Sequence, residues 1–270
     1  MSADIALAAY FQRIGFAGDR SATLATLKQL VARHAASIAF ENLAPLCQEP
    51  VSLGMESLER KLIHERRGGY CFEQNLLLRN VLLQLGYNVT GLAARVKWNA
   101  PALTARSHML LRIDLAHDVY IVDVGFGGVT LTDALRLQTG INQETPHEPF
   151  RLLNAEDQYL LQVEIGGEWR DIYCFDLQPQ QPIDYEPINW YLSTNPASHF
   201  TQRLMAARAL ADRRYALRDN IFTTRLLTGH SEQRALTTAD ELQSVLEKEF
   251  AIAVPRTPRM QATLVRIANG

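Results

Sequence analysis

The sequence has few cysteines, no long apolar run and no excess of charge of either sign. Its 270 residues include three cysteines, Cys47, Cys71 and Cys174, and none stands in a Cys-x-x-Cys pair. This excludes a disulfide framework and a zinc ribbon. No stretch reaches the roughly 18 apolar residues of a membrane span. Lys and Arg number 27 and Asp and Glu number 29, so the formal charge of -2 does not support a broad basic surface for nucleic acid.

What the sequence does have is the composition of a globular protein. Apolar residues make up 47% and charged residues 21%, and a chain of this length buries a core without a disulfide or a metal. The start, up to Phe16, lacks a basic lead and contains Asp4, so we expect no secretory signal. The expected setting is the reducing cytoplasm, and length alone suggests about two domains.

Hydrophobic spacing changes along the chain. The first 85 or so residues carry apolar side chains at helical spacing, and a fourth helix is predicted over 71–85 with Gly86 as its stop. From 87 to 169, short alternating segments and turn signals predict strands, and Gly166-Gly167 predicts a hairpin. The chain therefore changes from helical to β-rich near residue 86.

The last part of the chain mixes both patterns. Strand-like segments, one of them predicted over 200–207, precede a helix predicted over 241–250. Pro255 and Pro258 predict a C-terminal tail. The expected fold class is α+β, and its parts are a helical one (1–85), a β-rich one (86–190) and a linker with a mixed end (191–270).

The most informative segment is 66–75, which reads RRGGYCFEQN. Gly68-Gly69 allow a tight turn, and the apolar helix pattern begins at once afterwards, so Cys71 is predicted at or near the first residue of a helix. The unpaired N–H groups and positive dipole end there favour a thiolate and could hold an oxyanion. A buried cysteine that only fills space is the alternative, and it stays open at this point.

A candidate base and its partner lie on a predicted hairpin. If the turn is centred on 115–118, Leu110 faces Asp123, and His108 is the diagonal neighbour of Asp123 on the same face. The opposite face is wholly apolar, which supports the register by burial. Its members are Met109, Leu111, Ile113, Tyr120, Val122 and Val124.

This pair fits nucleophilic catalysis. Asp123 is expected to accept the Nδ1–H of His108, fixing its tautomer, so that Nε2 faces Cys71 and takes its proton. The alternative is a buried histidine satisfied by a nearby carboxylate.

These residues belong to longer motifs that run in order along nearly the whole chain. The motifs are Phe40-Glu41-Asn42-Leu43, Arg67-Gly68-Gly69-Tyr70-Cys71, Ser107-His108, Val122-Asp123-Val124-Gly125-Phe126-Gly127-Gly128, Tyr191-Leu192-Ser193-Thr194-Asn195-Pro196, Ser198 to Phe200, Thr224-Arg225 and Gly229-His230. In them the sequence resembles the arylamine N-acetyltransferase family, in its bacterial form. The resemblance implies an N-terminal helical bundle, a central β-barrel and a C-terminal α/β lid around a papain-like or transglutaminase-like Cys-His-Asp core.

The resemblance also implies an activity. Cys71, His108 and Asp123 would form a catalytic triad that takes an acetyl group from acetyl-coenzyme A and passes it to an arylamine. Acetyl-coenzyme A would be a co-substrate, with no tightly bound cofactor and no metal. Arylhydrazines and N-hydroxyarylamines are further expected acceptors, and xenobiotic metabolism is the expected context. The protein is expected as a monomer or homodimer without nucleic-acid or membrane partners.

Contact residues follow from the same resemblance. The acceptor pocket is expected at Phe40, Val96 and Phe126. Contacts to coenzyme A are expected at Gly125, Gly127, Gly128, Trp98, Thr224 and His230. The three glycines follow the strand that carries Asp123, and they would let backbone N–H groups approach the pyrophosphate.

Two charged pairs and two other functions complete the expectations. Glu41 and Arg67 are predicted to form an ion pair that braces the turn before Cys71. Arg213-Arg214 is interpreted as a solvated pair, with proximity to the 3′-phosphate of coenzyme A as the alternative. A hydrolase or amide-forming acyltransferase of the transglutaminase-like type is the second enzymatic hypothesis. A non-catalytic protein that binds coenzyme A or an aromatic ligand is the third.

Overall fold

The computed structural model describes residues 4–100 and 103–270. Helices come first, strands follow, and the end is mixed, as the hydrophobic spacing predicts. The helices are α1 (Leu7–Ile14), α2 (Leu24–Ser37), α3 (Leu43–Leu46), α4 (Met55–Leu58), a π-helix (Glu59–His64), α5 (Cys71–Gln84), a 3-10 helix (Pro182–Tyr185), α6 (Glu186–Thr194), α7 (His199–Gln202), α8 (Ala239–Lys248) and α9 (Pro258–Ala268). The strands are β1 (Phe40–Glu41), β2 (Asn88–Val96), β3 (Arg106–Leu115), β4 (Asp118–Val122), β5 (Leu135–Arg136), β6 (Asn142–Gln143), β7 (Phe150–Ala155), β8 (Gln158–Ile165), β9 (Glu168–Phe175), β10 (Met205–Leu210), β11 (Arg213–Arg218), β12 (Ile221–Leu226) and β13 (Ser231–Ala235).

Helix α5 is the centre of the helical part. Eleven of its fourteen residues are buried, and they include the polar Glu73, Gln74 and Asn75, so the helix is packed on nearly every side. Leu76, Leu77, Leu78, Val81 and Leu82 are all buried in one cluster with side chains of α1, α2 and the π-helix. The first residue of α5 is consequently fixed in the interior. Among the described residues, no helix is both long and apolar enough to cross a membrane.

The central strands form a nearly closed eight-stranded antiparallel barrel in the order β5-β4-β3-β2-β9-β8-β7-β6. Strands β8 and β9 are joined at Gly166-Gly167, where the hairpin is predicted, and both glycines have positive φ. Alternate side chains of the strands fill the interior, as expected for half-buried strands. They include Leu92, Leu110, Ile121, Phe150, Val163 and Phe175.

A second, five-stranded sheet follows the order β1-β10-β11-β12-β13. Its first strand comes from the N-terminal part of the chain, since Phe40 pairs with Ala207 and Glu41 with Ala206. Helices α8 and α9 cover one face, where Phe222 and Phe250 are buried. The other face is left for the cleft described below.

The hairpin of β3 and β4 has the predicted register. Asp114 pairs with Val119 and Leu111 with Val122. The predicted apolar face, which includes Leu111, packs into the helical core, whereas Leu110 on the opposite face packs into the barrel. Because both faces are buried, a slip by one residue would move Asp123 to the wrong side.

Two predictions for the C-terminal part are wrong. The expected tail is helix α9, which begins with Pro258 and is capped by Thr257, whose hydroxyl accepts the N–H of Met260. Proline at the first helical position loses no hydrogen bond, so it starts a helix as readily as it ends one. The strand predicted over 200–207 is instead α7 followed by β10, because Ser198 caps α7 by accepting the N–H of Phe200.

Gly68→Ala tests how tightly the turn before α5 is packed. An added Cβ at Gly68 would lie 2.1 Å from the carbonyl oxygen of Ala39. This oxygen belongs to the backbone, so it cannot move away as a flexible side chain could. We expect the free energy of unfolding to fall by about 1–3 kcal/mol or more, as measured by chemical denaturation. Gly54→Ala is the control, since its nearest atom is Ser52 Oγ at 3.6 Å. Equal stabilities of the two variants would contradict the packing described here.

Candidate active site

Cys71 is the first residue of α5, as predicted, and it is 3% exposed. The first bond of the helix runs from the N–H of Gln74 to the carbonyl of Tyr70. The N–H groups of the residues before Gln74 have no partner within the helix. That of Tyr70 donates to the side-chain Oε2 of Glu73 at 3.1 Å. The sulfur therefore lies at the positive end of the helix dipole.

Two ion pairs, one buried and one partly buried, hold the turn before Cys71. The predicted pair is confirmed: Arg67 Nη2 lies 2.8 Å from Glu41 Oε1, with both side chains buried. Glu41 Oε2 also accepts the N–H of Leu43 at 2.6 Å. Behind the turn, Lys61 Nζ lies 2.6 Å from Glu73 Oε1. Removing one member of such a buried pair leaves an uncompensated charge, so the turn resists displacement.

His108 and Asp123 are in direct contact, with 2.7 Å between Nε2 and Oδ2. The sequence predicts that Nδ1 meets the carboxylate, and this prediction is wrong: the nitrogen in contact is Nε2. Diagonal neighbours on adjacent strands are about 7–8 Å apart. Nε2 is the ring nitrogen farther from the backbone, so it reaches the carboxylate across this distance. Nδ1 is left for Cys71, whose sulfur lies 3.9 Å from the carbonyl oxygen of Ser107, the residue before the histidine.

The contact makes His108 a strong base. Burial opposes a charged imidazolium, but the carboxylate of Asp123 outweighs it, and with a further contribution from Cys71 the pKa of His108 rises to about 10. Burial likewise opposes the carboxylate, but the histidine and other donors hold the pKa of Asp123 below its usual range. The buried pair is thus an imidazolium and a carboxylate at neutral pH.

Asn75 is a further member of the site that sequence reasoning missed. It lies one turn after Cys71, and its Nδ2 donates to Asp123 Oδ1 at 3.0 Å and to the carbonyl of Met109 at 2.8 Å. Its Oδ1 accepts the N–H of Val124 at 3.1 Å. The spacing of four residues from the cysteine, which is one helical face, could have indicated it. Asn75 thereby fixes the carboxylate to the helix that carries the sulfur.

Aromatic rings hold the imidazole in place. The rings of Tyr173 and Phe126 lie 5.0 and 5.1 Å from the His108 ring, centre to centre. Tyr173 is fully buried, and burial, followed by the charge of Asp123, raises its pKa well above the usual value. The phenol is therefore neutral, and the ring has little freedom to turn.

Cys71 and His108 open into a cleft of about 650 Å³ between the barrel and the second sheet. The structure brings seven of the predicted contact residues to it, namely Phe40, Val96, Trp98, Phe126, Gly125, Gly127 and Gly128. A Cβ on Gly125 would lie 2.6 Å from Cys71 Cα, so only glycine fits there.

Two predicted contacts are not brought to the cleft. Thr224 projects from the opposite face of β12, and its neighbours Thr223 and Arg225 line the cleft instead, as strand alternation requires. His230 is exposed in the turn between β12 and β13. A prediction from motifs places residues along the chain but does not fix which face they occupy.

The other cysteines lie away from the cleft. Cys47 contacts Met260 and Thr263, and burial raises the pKa of its thiol. Cys174 is buried on β9. Within the part of the chain that the structure describes, neither thiol has a hydrogen bond to a histidine.

Alkylation tests the state of the three thiols. We expect iodoacetamide to modify Cys71 far faster than Cys47 or Cys174, because only Cys71 lines the cleft and faces an imidazolium. Peptide mass spectrometry would give each rate, and similar rates for all three would contradict the assignment.

Asn75→Leu tests the anchoring of the carboxylate. The change keeps the side-chain size but leaves Asp123 with one donor fewer, so we expect alkylation of Cys71 at neutral pH to slow by about tenfold to a hundredfold. The matched control is Asn80→Leu on the same helix. Asn80 binds Ile5 and Gln84, away from the site, so its loss should affect stability without slowing alkylation. Equal effects of both changes would reduce Asn75 to a structural role.

Comparisons with known proteins identify the family of the chain. Residues 23–259 match the family model described as N-acetyltransferase. Arylamine N-acetyltransferase of Escherichia coli is 40% identical over 247 residues, covering 91% of this chain and 88% of that protein. The Salmonella typhimurium protein named arylamine N-acetyltransferase / N-hydroxyarylamine O-acetyltransferase is 39% identical over 250 residues, covering 92% and 89%. The solved structure of Mycobacterium marinum arylamine N-acetyltransferase in complex with CoA has a TM-score of 0.94 and 38% identity, covering 97% and 99%. The chain therefore belongs to the arylamine N-acetyltransferase family.

Proposed function

We propose that the protein transfers the acetyl group of acetyl-coenzyme A to arylamines through a thioester on Cys71. The observation that carries this proposal is a sulfur at a helix start, beside a buried His108–Asp123 pair, at the wall of a cleft of about 650 Å³. Membership of the family and the CoA bound by the Mycobacterium marinum relative support the donor.

In the first half-reaction, Cys71 is the nucleophile. Its thiolate attacks the acetyl carbonyl carbon, and the N–H groups at the start of α5 stabilise the oxyanion. The bond from that carbon to the coenzyme A sulfur then breaks. The imidazolium of His108 gives its Nδ1 proton to the departing sulfur, so that neutral imidazole remains. Thioester is exchanged for thioester, and the acetyl group stays activated.

In the second half-reaction, the amine nitrogen attacks the acetyl carbon on Cys71. His108 takes the proton that the amine loses, and the carbon–sulfur bond breaks to restore the thiolate and imidazolium pair. Arylamines are mostly unprotonated at neutral pH and are therefore nucleophilic as they stand, whereas aliphatic amines are mostly protonated. Arylhydrazines likewise offer a neutral nitrogen, and N-hydroxyarylamines offer a neutral hydroxyl oxygen. The Salmonella relative is named for N-acetylation of arylamines and O-acetylation of N-hydroxyarylamines.

The cleft wall favours the amine over water. Phe40, Val96 and Phe126 give it an apolar surface beside the sulfur, which suits an aromatic acceptor and disfavours hydrolysis of the thioester. This supports transfer over the hydrolase hypothesis.

The parts of the chain have separate tasks in this proposal. Residues 1–85 carry the nucleophile, 86–190 carry the base and its carboxylate, and 191–270 cover the cleft. A free nucleophilic thiol requires reducing conditions, which supports a cytoplasmic location. Arylamine acceptors suit a role in xenobiotic metabolism.

Mass spectrometry of the intact protein tests the acyl-enzyme. Incubation with acetyl-coenzyme A and no acceptor should add about 42 Da to Cys71, and addition of an arylamine should remove it with release of the acetylated amine. Cys71→Ala is the control: it should take up no acetyl group yet unfold at the same midpoint, since a buried side chain of similar size is kept. An adduct on the variant, or turnover by it, would refute the nucleophile.

A further inference from the structure

Three arginines line the side of the cleft formed by the second sheet. Arg214 and Arg218 project from one face of β11, and Arg225 projects from the same face of β12. Among the described residues that line the cleft there is no aspartate or glutamate. This wall of the cleft is therefore cationic, in contrast to the apolar wall beside the sulfur.

Two of these arginines lack a counter-ion. Among residues 4–100 and 103–270, no carboxylate lies within 4 Å of Arg218 or Arg225, whereas Arg214 Nη2 lies 2.7 Å from Glu148. Arg214 and Arg225 are directly opposite in the register of β11 and β12. Like charges directly opposite each other destabilise a sheet. An anion between them would remove that cost.

Arg214 also offers an unused donor. The residue is 3% exposed, and its Nη1 has no hydrogen-bond partner although it is buried. A buried donor without an acceptor costs free energy, so its persistence indicates a ligand that the side chain serves. Arg214 is thus not the solvated side chain that its sequence position suggests. Arg213, its neighbour, is bound to Asp212 on the other face.

We propose that Arg218 and Arg225, with Nη1 of Arg214, bind the phosphate groups of the acetyl-coenzyme A donor. This deepens the proposed function and rests on it. Guanidinium groups match phosphate oxygens in geometry and charge. These arginines replace Thr224 and His230 as the residues expected to hold that end of the donor.

The distance across the sheet favours the donor over an anionic acceptor. Phe40 on β1 lies beside the turn that precedes Cys71, through its bridge to Gly69. Arg225 is three strands away in the order β1-β10-β11-β12, which is about 14 Å at the usual strand spacing. In acetyl-coenzyme A, the pantetheine arm places the thioester at a similar distance from the pyrophosphate. In an aminobenzoate only one ring separates amine and carboxylate, which is too short.

Donors with and without phosphate test the proposal. For Arg218→Gln and Arg225→Gln we expect KM for acetyl-coenzyme A to rise by roughly tenfold, with kcat unchanged. KM for S-acetylpantetheine, which has no phosphate, should not change. Acetyl-dephospho-coenzyme A separates the two phosphate sources: a smaller rise with this donor assigns the arginine to the 3′-phosphate, and an equal rise to the pyrophosphate. Arg213→Gln is the matched control and should behave as the unmodified protein does.

Calorimetry of coenzyme A binding gives a readout that needs no turnover. Both glutamine variants should bind coenzyme A more weakly than the Arg213→Gln control. If the unmodified protein binds coenzyme A through these arginines but transfers no acetyl group, the proposed function fails and the phosphate site stands. If binding or KM is the same in all variants, or if KM rises only for an aminobenzoate acceptor, the phosphate site is overturned while acetyl transfer stands.

Discussion

The buried contact between His108 and Asp123 is the interaction on which the site depends. A charged pair in the interior is stable only when its remaining hydrogen-bonding groups are satisfied. Here Asp123 Oδ2 meets the imidazole, and Oδ1 accepts from Asn75 and from the N–H of Gly125. If one partner were removed, the other charge would cost about 3–5 kcal/mol. The surrounding backbone is therefore constrained as strictly by this pair as by its apolar contacts.

That constraint explains how three parts of the fold meet at one point. Helix α5 supplies Cys71 and Asn75, strand β3 supplies His108, and the segment after β4 supplies Asp123 and Gly125. Both faces of the hairpin are buried, one against the helices and one in the barrel. The helical core and the barrel therefore share one structural element, and the geometry of the site follows from their packing.

Sequence reasoning predicted the parts that local rules determine. The start of α5 at Cys71 follows from the glycine turn and the apolar pattern after it, and the hairpin register follows from alternation and the turn. It predicted the wrong nitrogen of His108 for the contact with the carboxylate, because that choice depends on the distance across the hairpin. Of the motif Thr224-Arg225, similarity assigned the cofactor contact to Thr224, whereas strand alternation in the folded sheet brings Arg225 into the cleft. The helix begun by Pro258 was missed because one residue type both starts and ends helices.

Strand β1 has two residues and belongs by sequence to the helical part, yet it is an edge of the second sheet. Phe40 lies on this strand and lines the cleft, and Glu41 beside it is tied to Arg67. Phe40 and the three arginines that line the cleft thus project from one hydrogen-bonded sheet. The two residue pairs that join β1 to β10 therefore set the distance between Phe40 and the strands that carry the arginines, and with it the span of the cleft.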